Sequence, residues 1–366
     1  MVRSPKINDE AGRVDIKRSY YEDIELFKSK TVLVWSLIFF AFLILLPWIV
    51  AKTHVLGFSI YLLNLIIIHC IVVIGLNILV GYTGQISMGH AGFFAIGAFT
   101  TVMFVSNVGI PLIFALPLAA FISAGFGFLL GLPALRLEGP YLAIATMGFG
   151  MAATTAIKHM EFFGGRMGMQ APKLYLFGTA LKDIHFYYLI AGIGLLLAVA
   201  AIKLFKTKVG RAFIAIRDSD VAAETMGVNL TYYKTLAFAV SAFYTGVAGG
   251  LYAFILGFIN PEGFHIIMSI TFLAMVVVGG LGSIMGSIAG ATLMTYLDVK
   301  LQAIQDIPGI GAILVSFSEK YMSMGGISNV AIIVYGLIMI LIVLFEPLGI
   351  FGLWIRIKRY WKTYPF

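Results

Sequence analysis

The residues best suited to chemistry lie in one polar stretch, 203–229, inside an otherwise apolar chain. Within its first fifteen residues stand five cations: Lys203, Lys206, Lys208, Arg211 and Arg217. The hydrocarbon core of a bilayer does not accept such a cluster, so the stretch must emerge from a membrane on one side. The residues alone leave two interpretations open: the stretch binds a soluble partner, or it is an ordinary solvated loop with interfacial cations.

The six histidines offer little catalytic chemistry, because no pair stands at metal-ligand spacing and His-Glu-x-x-His is absent. His69 and His90 lie in or beside apolar runs. There each histidine is either a structural hydrogen-bonding residue or a proton relay. No carboxylate is evident near a bilayer midplane, where an ion-driven carrier normally needs one. The phosphate-binding loop Gly-x4-Gly-Lys-Ser/Thr is also absent. We expect a non-catalytic chain that binds no metal, cofactor or ATP itself.

The composition is typical of a polytopic membrane protein, with 60% hydrophobic and 11% charged residues and a mean hydropathy of +0.99. A helix needs about 20 apolar residues to cross the hydrocarbon core. The candidate runs are 31–50, 57–80, 86–106, 110–133, 140–160, 185–205, 230–257, 265–280, 283–300 and 326–346. We predict an all-α polytopic membrane protein with about ten transmembrane helices. Eight or nine stay open, because Gly279 to Gly286 is either a tight turn or a break in one helix.

The positive charges predict the orientation of these spans. With a cytoplasmic N-terminus, 18 of the 25 Lys and Arg residues fall on the cytoplasmic side. This divides the chain into a cytoplasmic N-terminal segment 1–30, a transmembrane domain 31–350 and a basic cytoplasmic tail 351–366. Within the domain, 206–229 is expected in the cytoplasm and 161–184 outside, as a periplasmic loop.

Glycine-rich runs indicate close helix packing and broken helices. Gly282, Gly286 and Gly290 repeat at four-residue spacing, which permits close approach of two helices. The run from Gly81 to Gly97 is polar at its start, and we expect it to bend into the membrane as a broken helix. The polar residues within or near the spans that we expect to face a cavity or a partner are Asn64, Asn77, Gln85, Ser87 and His90.

Four stretches, in this order, resemble one family. They begin at residues 84, 135, 210 and 277 and read GQISMGHAGFFAIGAF, LRLEGPYLAIAT, GRAFIAIRDSDVAAETMGVN and VVGGLGSIMGSIAGA. Together they resemble the LivM-type permease of branched-chain amino-acid ABC transporters, over roughly residues 55–350. The resemblance implies a permease subunit in a bacterial inner membrane, with a LivH-like second permease and a periplasmic substrate-binding protein. It also implies two cytoplasmic ATP-binding subunits, which would hold the ATP and Mg.

By this resemblance, 211–227 is a cytoplasmic coupling helix segment that seats in a groove of an ATPase subunit. The residues expected to make polar contacts there are Arg211, Arg217 and Asp218. Close packing is expected from Ala222, Ala223 and Gly227. Apart from the resemblance, the residue types predict that a short helix ends here with Gly227 as its C-terminal cap. Other importers place the glutamate before the paired alanines, whereas Glu224 follows them here, so the role of Glu224 stays open.

The resemblance also suggests an outer contact and a substrate. Gly164, Gly165 and Gly168 match an outer turn of the family, and we expect that turn to contact the binding protein. Leucine, isoleucine and valine are the expected substrates, and the translocation path is expected along the five polar residues named above. Family members carry urea, short amides or aromatic acids, so another small organic molecule is the alternative. An ion-coupled secondary carrier is a weaker one.

Overall fold

The computed structural model describes residues 43–50, 59–135, 137, 139–173, 175–176, 179–180, 183–302, 326–346 and 349–363. Residues 45–366 form one compact unit that contains every element below. Of the other unit, 1–44, residues 43 and 44 are described, and both are helical. The predicted segment 1–30 lies outside the described residues. So does 14–28, which the sequence leaves open between an interfacial helix and a solvated tail.

The described residues are mostly helical. Besides a helical stretch at 43–50, the helices are α1 (Ile60–Thr83), α2 (His90–Ser106), α3 (Leu112–Ala134), α4 (Pro140–His159), α5 (Asp183–Lys206), α6 (Lys208–Asp218), α7 (Asp220–Thr225), α8 (Leu230–Leu256), α9 (Ile266–Gly279), α10 (Ile284–Gln302), α11 (Gly326–Phe345) and α12 (Gly349–Thr363). Among these residues five helices are long and apolar enough to span a membrane, namely α1, α3, α4, α5 and α8. The all-α polytopic class is confirmed, and the count of ten spans stays a prediction.

Helix α1 forms the centre of the bundle. Its sequence is apolar on every side, which is typical of a helix that other helices surround. The Ser59 hydroxyl caps its start by accepting a hydrogen bond from the Leu62 N–H at 3.1 Å. Helices α5, α8, α9 and α10 pack around α1, so nearly all of its side chains are buried.

Small residues let α8 approach its neighbours closely. A Cβ placed on Gly97 of α2 would lie 2.5 Å from the Gly246 Cα of α8. On the α3 side, a Cβ on Gly127 would lie 2.8 Å from the Phe238 carbonyl oxygen. Close backbone contact of this kind replaces the hydrophobic driving force that is missing between helices in lipid.

Both glycine-rich runs interrupt the helices as expected. Residues 84–89 are not helical, so α2 begins only at His90, and the predicted broken helix is confirmed. The run from Gly279 to Gly286 is a tight turn between two helices, which decides the alternative that the sequence leaves open. A Cβ on Gly286 would lie 2.5 Å from the Gly279 carbonyl oxygen, and a Cβ on Gly290 would lie 2.6 Å from the Gly279 Cα, as the predicted packing requires. Gly282 lies instead in the turn before α10, with a φ of +78°, so it is not on the predicted helix face.

Short strands join two connections that are far apart in sequence. Strand β1 (Met169–Gln170) pairs antiparallel with β4 (Phe258–Ile259), and β2 (Tyr175–Leu176) pairs with β3 (Thr179–Ala180). Single 3-10 turns flank them at Glu161–Phe163, Gly165–Met167 and Pro261–Gly263. The β1–β4 pair therefore ties the connection after α4 to the connection after α8.

Candidate functional site

The polar stretch folds as two short helices between the long helices α5 and α8. Ser219 is extended (φ −167°, ψ 119°) and separates α6 from α7. Its hydroxyl caps α7 by accepting a hydrogen bond from the Ala222 N–H at 3.3 Å. Lys234, near the start of α8, holds Asp220 in an ion pair at 2.5 Å, so α7 is anchored to the next long helix.

Most residues predicted for ATPase coupling lie on the surface of this segment. The exposed ones are Arg211, Arg217, Asp218, Ala222, Glu224 and Gly227. Ala223 differs: it is only 3% exposed because it packs inside its own chain. Its carbonyl oxygen accepts from the Val228 N–H at 3.0 Å. Ala223 therefore packs the segment against the rest of the chain, whereas Ala222 is exposed and can contact a partner.

Gly227 serves the backbone. Its φ is +82°, a conformation that side chains with a Cβ seldom adopt, and no atom lies within 4 Å of the place a Cβ would take. Its N–H donates to the Glu224 carbonyl oxygen at 2.9 Å and so ends α7, as its predicted role as a C-terminal cap requires.

Large apolar side chains are also exposed on the segment, and the sequence reasoning missed them. Val221 is 73% exposed and Met226 is 85% exposed, and Ile214 is exposed to a smaller degree. The signal available in the sequence was the presence of apolar residues between charged ones within 211–227. Exposed apolar residues rimmed by charges are a common mark of protein contact sites.

Arg217 connects the segment to the turn between α9 and α10. A Cβ on Gly282 would lie 2.6 Å from the Arg217 Nη1, so the guanidinium rests directly on that turn. A Cβ on Gly84, at the end of α1, would lie 3.8 Å from the Arg217 Cα. One arginine thus touches both broken regions of the fold while the rest of its side chain faces outward.

Asn77 holds the same turn from inside the bundle. Its Oδ1 accepts from the Gly282 N–H at 2.9 Å. Its Nδ2 donates to the Ser283 carbonyl oxygen at 3.0 Å and to the Ser287 Oγ at 2.7 Å. Asn77 was predicted to line a translocation path. The structure shows it in a hydrogen-bonded contact between helices, and the path role stays a prediction.

His90, at the start of α2, is fully buried between two serines. Its Nδ1 lies 3.1 Å from the Ser87 Oγ, and its Nε2 lies 2.7 Å from the Ser241 Oγ of α8. The ring therefore bridges the broken segment to α8, as a structural histidine would. The structure brings Ser87 and His90 together but leaves Asn77 in a separate contact.

The other two predicted path residues are buried with unsatisfied polar atoms. The Asn64 Oδ1 and the Gln85 Oε1 accept no hydrogen bond. The Gln85 Nε2 donates to the Thr83 Oγ1 at 3.0 Å, so half of that amide is paired. Neither residue lines either of the two cavities described next.

Two cavities flank the N-terminal half of α9. The smaller, about 280 Å³, lies between α4 and α9 and includes Met147, Met151 and Ser269 in its wall. The larger, about 600 Å³, lies between α1, α9, α10 and α11 and includes Tyr61, His69, Asp298 and Tyr335. His265 lines both, so the first turn of α9 is a thin wall between them. Within the described ranges no three His, Cys, Asp or Glu residues cluster to hold a metal.

The outer turn presents side chains rather than its glycines. Gly164, Gly165 and Gly168 are half-buried and have positive φ, so they shape the turn. A Cβ on Gly168 would lie 3.1 Å from the Asn260 Cα. The exposed neighbours are Phe162 at 52% and Met167 at 86%, which the sequence reasoning did not single out.

An ion pair lies close to this turn in sequence, at the end of α4. The Lys158 Nζ donates to the Glu262 Oε1 at 2.6 Å, which joins the last turn of α4 to the connection before α9. This hydrogen bond and the charge of Lys158 hold the pKa of the Glu262 carboxyl below its ordinary value. The pair is therefore intact at neutral pH.

These features define a polytopic α-helical membrane protein with an exposed two-helix segment between its long helices. The chain belongs to the family described as branched-chain amino acid transport system / permease component, which matches residues 58–343. No solved structure matches the chain.

Named relatives match large parts of the chain. The chain is 36% identical over 262 residues to the high-affinity branched-chain amino acid transport system permease protein LivM of Salmonella typhimurium, covering 64% of this chain and 62% of the relative. It is 36% identical over 257 residues to LivM of Escherichia coli, covering 63% and 60%. To the permease protein BraD of Pseudomonas aeruginosa it is 24% identical over 302 residues, covering 78% and 91%. The matches thus span about three fifths of both LivM relatives.

Proposed function

We propose that this chain is a permease subunit of an ABC importer for branched-chain amino acids, and that separate subunits hydrolyse the ATP. The observation that carries the proposal is the exposed α6–α7 segment, which Arg217 joins to the α9–α10 turn. Membership of the permease family and the names of the LivM relatives support the transport role. The absence of a phosphate-binding loop from the sequence agrees with ATP and Mg being held by partner chains.

The physical basis of docking is the mixed surface of α6–α7. Val221 and Met226 provide exposed apolar area that a groove on an ATPase would bury. Arg211, Asp218 and Glu224 surround that area with charge and would set the register of the contact. Closure of the ATPases would then push on α6, and Arg217 would pass the displacement to the α9–α10 turn.

The finer architecture that we propose has ten spans in a bacterial inner membrane, with both termini cytoplasmic. In this arrangement α6–α7 faces the ATPases, and the β1–β4 region faces a periplasmic binding protein. Phe162 and Met167 are the side chains we assign to that outer contact, with the three glycines shaping the turn. A second, LivH-like permease would complete the pathway.

We place this chain's share of the path along the groove between α4 and α9. The smaller cavity lies there, and its wall combines Met147 and Met151 with the hydroxyl-bearing Ser269. The ion pair of Lys158 and Glu262 lines the same cavity. A leucine-like zwitterion would therefore meet apolar side chains for its alkyl group and fixed charges near its charged ends. Asn77 and His90 would instead keep the moving helices in register.

The docking proposal is tested by charging the apolar surface. Met226→Asp is expected to lower the amount of ATPase that co-purifies with the chain at least tenfold, because a carboxylate cannot be buried unpaired in the groove. Met167→Asp is the matched control, since Met167 is equally exposed but lies on the outer turn. Equal ATPase recovery with both variants would contradict the docking surface.

The substrate is tested with the assembled importer in proteoliposomes. Uptake of labelled leucine should require ATP, the binding protein and this chain, and should persist when the ion gradient is collapsed. Excess isoleucine or valine should compete, whereas excess urea or a short amide should not. Competition by urea alone would show that the importer carries another small organic molecule. Uptake without ATP would favour a secondary carrier.

A further inference from the structure

The C-terminal helix α12 leaves the bundle after its first turn. Gly349 and Gly352 are buried, and a Cβ on Gly349 would lie 2.6 Å from the Gly280 backbone nitrogen. From residue 353 to residue 358 every side chain is exposed, including Trp354 at 61% and Ile357 at 52%. Arg356 pairs with Glu346, but the apolar side chains of this stretch stay exposed.

The exposed stretch of α12 is amphipathic. Leu353, Trp354 and Ile357 follow the spacing of one helix face, in line with Ile350, which packs against the core. Arg356 and Lys358 fall on opposite flanks of that apolar stripe, at about 100° per residue. A helix with an apolar stripe flanked by cations on both sides is typical of one that lies in a membrane interface.

The position of α12 also places it at the membrane surface. Helix α11 ends at Phe345, and α12 begins four residues later. Leu344 and Phe345 are 71% and 74% exposed, so the apolar surface of α11 continues to its very end. The Arg356 Nη2 donates to the Glu346 Oε1 at 3.0 Å, which folds α12 back toward the end of α11.

We propose that α12 is a binding site for anionic phospholipids of the cytoplasmic leaflet. The apolar stripe inserts among the acyl chains, and Lys358 with Arg356 binds lipid phosphate groups. Charge complementarity favours this occupant, since the described charged side chains on the exposed part of α12 are cations and the leaflet is anionic. Because Gly349 packs on the α9–α10 turn, the bound lipid holds the turn that Arg217 contacts.

The test uses the full chain, purified and stripped of lipid. Native mass spectrometry measures the retention of phosphatidylglycerol against phosphatidylcholine during titration with each lipid. The chain is expected to retain phosphatidylglycerol preferentially, and Lys358→Gln is expected to weaken that retention about fivefold, the effect of one surface lysine. The matched control is Lys173→Gln, which removes an exposed lysine from the connection after α4.

Each outcome decides the proposal. Preferential phosphatidylglycerol binding that Lys358→Gln weakens, that Lys173→Gln does not weaken, and that high salt abolishes supports it. Equal retention of both lipids by the wild-type chain overturns it, and so does an equal loss in both lysine variants. Protection of 353–358 from hydrogen exchange only when partner subunits are added, whatever the lipid, would assign α12 to a protein contact and also overturn it.

Discussion

Arg217 shows how one residue serves two surfaces. Its side chain is exposed, as a partner contact requires, yet its guanidinium rests on Gly282 and its backbone lies beside Gly84. Asn77 holds the same turn from the opposite side through the Gly282 N–H. A displacement of α6 would therefore reach the α9–α10 turn without crossing a flexible loop.

This geometry predicts that binding of the ATPases and transmission of their movement to the α9–α10 turn depend on different residues. Arg217→Ala is expected to keep the ATPases bound, because Val221 and Met226 remain, and to lower the leucine transported per ATP hydrolysed severalfold. The measurement is uptake and hydrolysis on the same proteoliposomes. Lys208→Ala, which removes an exposed cation from the first turn of the same helix, is the matched control and should keep the ratio near that of the wild-type chain. Equal ratios for the two variants would remove Arg217 from the transmission path.

Gly227 gives a second prediction at this scale. Gly227→Ala should destabilise the end of α7 by about 1–2 kcal/mol, because its φ of +82° is unfavourable for a residue with a Cβ. Open space surrounds the site, so no clash adds to that cost. Hydrogen exchange of 219–229 should accelerate in the alanine variant and much less in Gly227→Asn, since asparagine tolerates this conformation. Equal acceleration in both variants would contradict a purely conformational role.

At the scale of elements, the contact between α2 and α8 depends on small residues. Gly97→Ala should lower the free energy of unfolding by about 1–3 kcal/mol, because the added Cβ would lie 2.5 Å from the Gly246 Cα. Gly192→Ala in α5 is the control, since nothing lies within 4 Å of its Cβ position. Unfolding of the purified chain in detergent measures both. Helix propensity alone would favour alanine in both variants. A control as unstable as Gly97→Ala would therefore show that the loss does not arise from the close contact of α2 with α8.

Elements whose signal is local were predictable from the sequence. The apolar runs predicted α1, α3, α5 and α8, because a helix needs about 20 apolar residues to cross the hydrocarbon core. The polar start of the Gly81 run predicted the break before His90, and Gly227 predicted the end of α7. In each case the residues that determine the element lie within or directly beside it in the sequence.

Contacts between distant residues were not predictable in this way. His90 meets Ser241, 151 positions away, so a buried, paired histidine could not be told from a path residue. The β1–β4 pair joins Met169 to Ile259 through two-residue strands, too short for a periodic signal. The exposure of Val221 and Met226 depends on which face α7 turns outward, and the tertiary anchor Lys234–Asp220 sets that face.

At the scale of the whole molecule, three polar or interfacial features gather at one end of the bundle. Arg217 of α6 touches Gly282, and Gly349 at the start of α12 packs on Gly280 of the same turn. Helix α1 ends there as well, beside Arg217. Arg217 of α6 and Arg356 and Lys358 of α12 thus belong to elements that meet the same turn. The positive-inside rule predicts that this end of the bundle is cytoplasmic.

That clustering predicts the orientation of the chain in a cell. In a Cys70→Ala background, Thr225→Cys and Lys173→Cys place single thiols at exposed positions in α7 and in the connection after α4. A membrane-impermeant maleimide added to intact spheroplasts should label Lys173→Cys and should label Thr225→Cys only after permeabilisation, because the positively charged end stays inside. Lys358→Cys should behave like Thr225→Cys, since α12 and α6 meet the same turn. Labelling of Thr225→Cys in intact cells would invert the orientation and place α6–α7 out of reach of any ATPase.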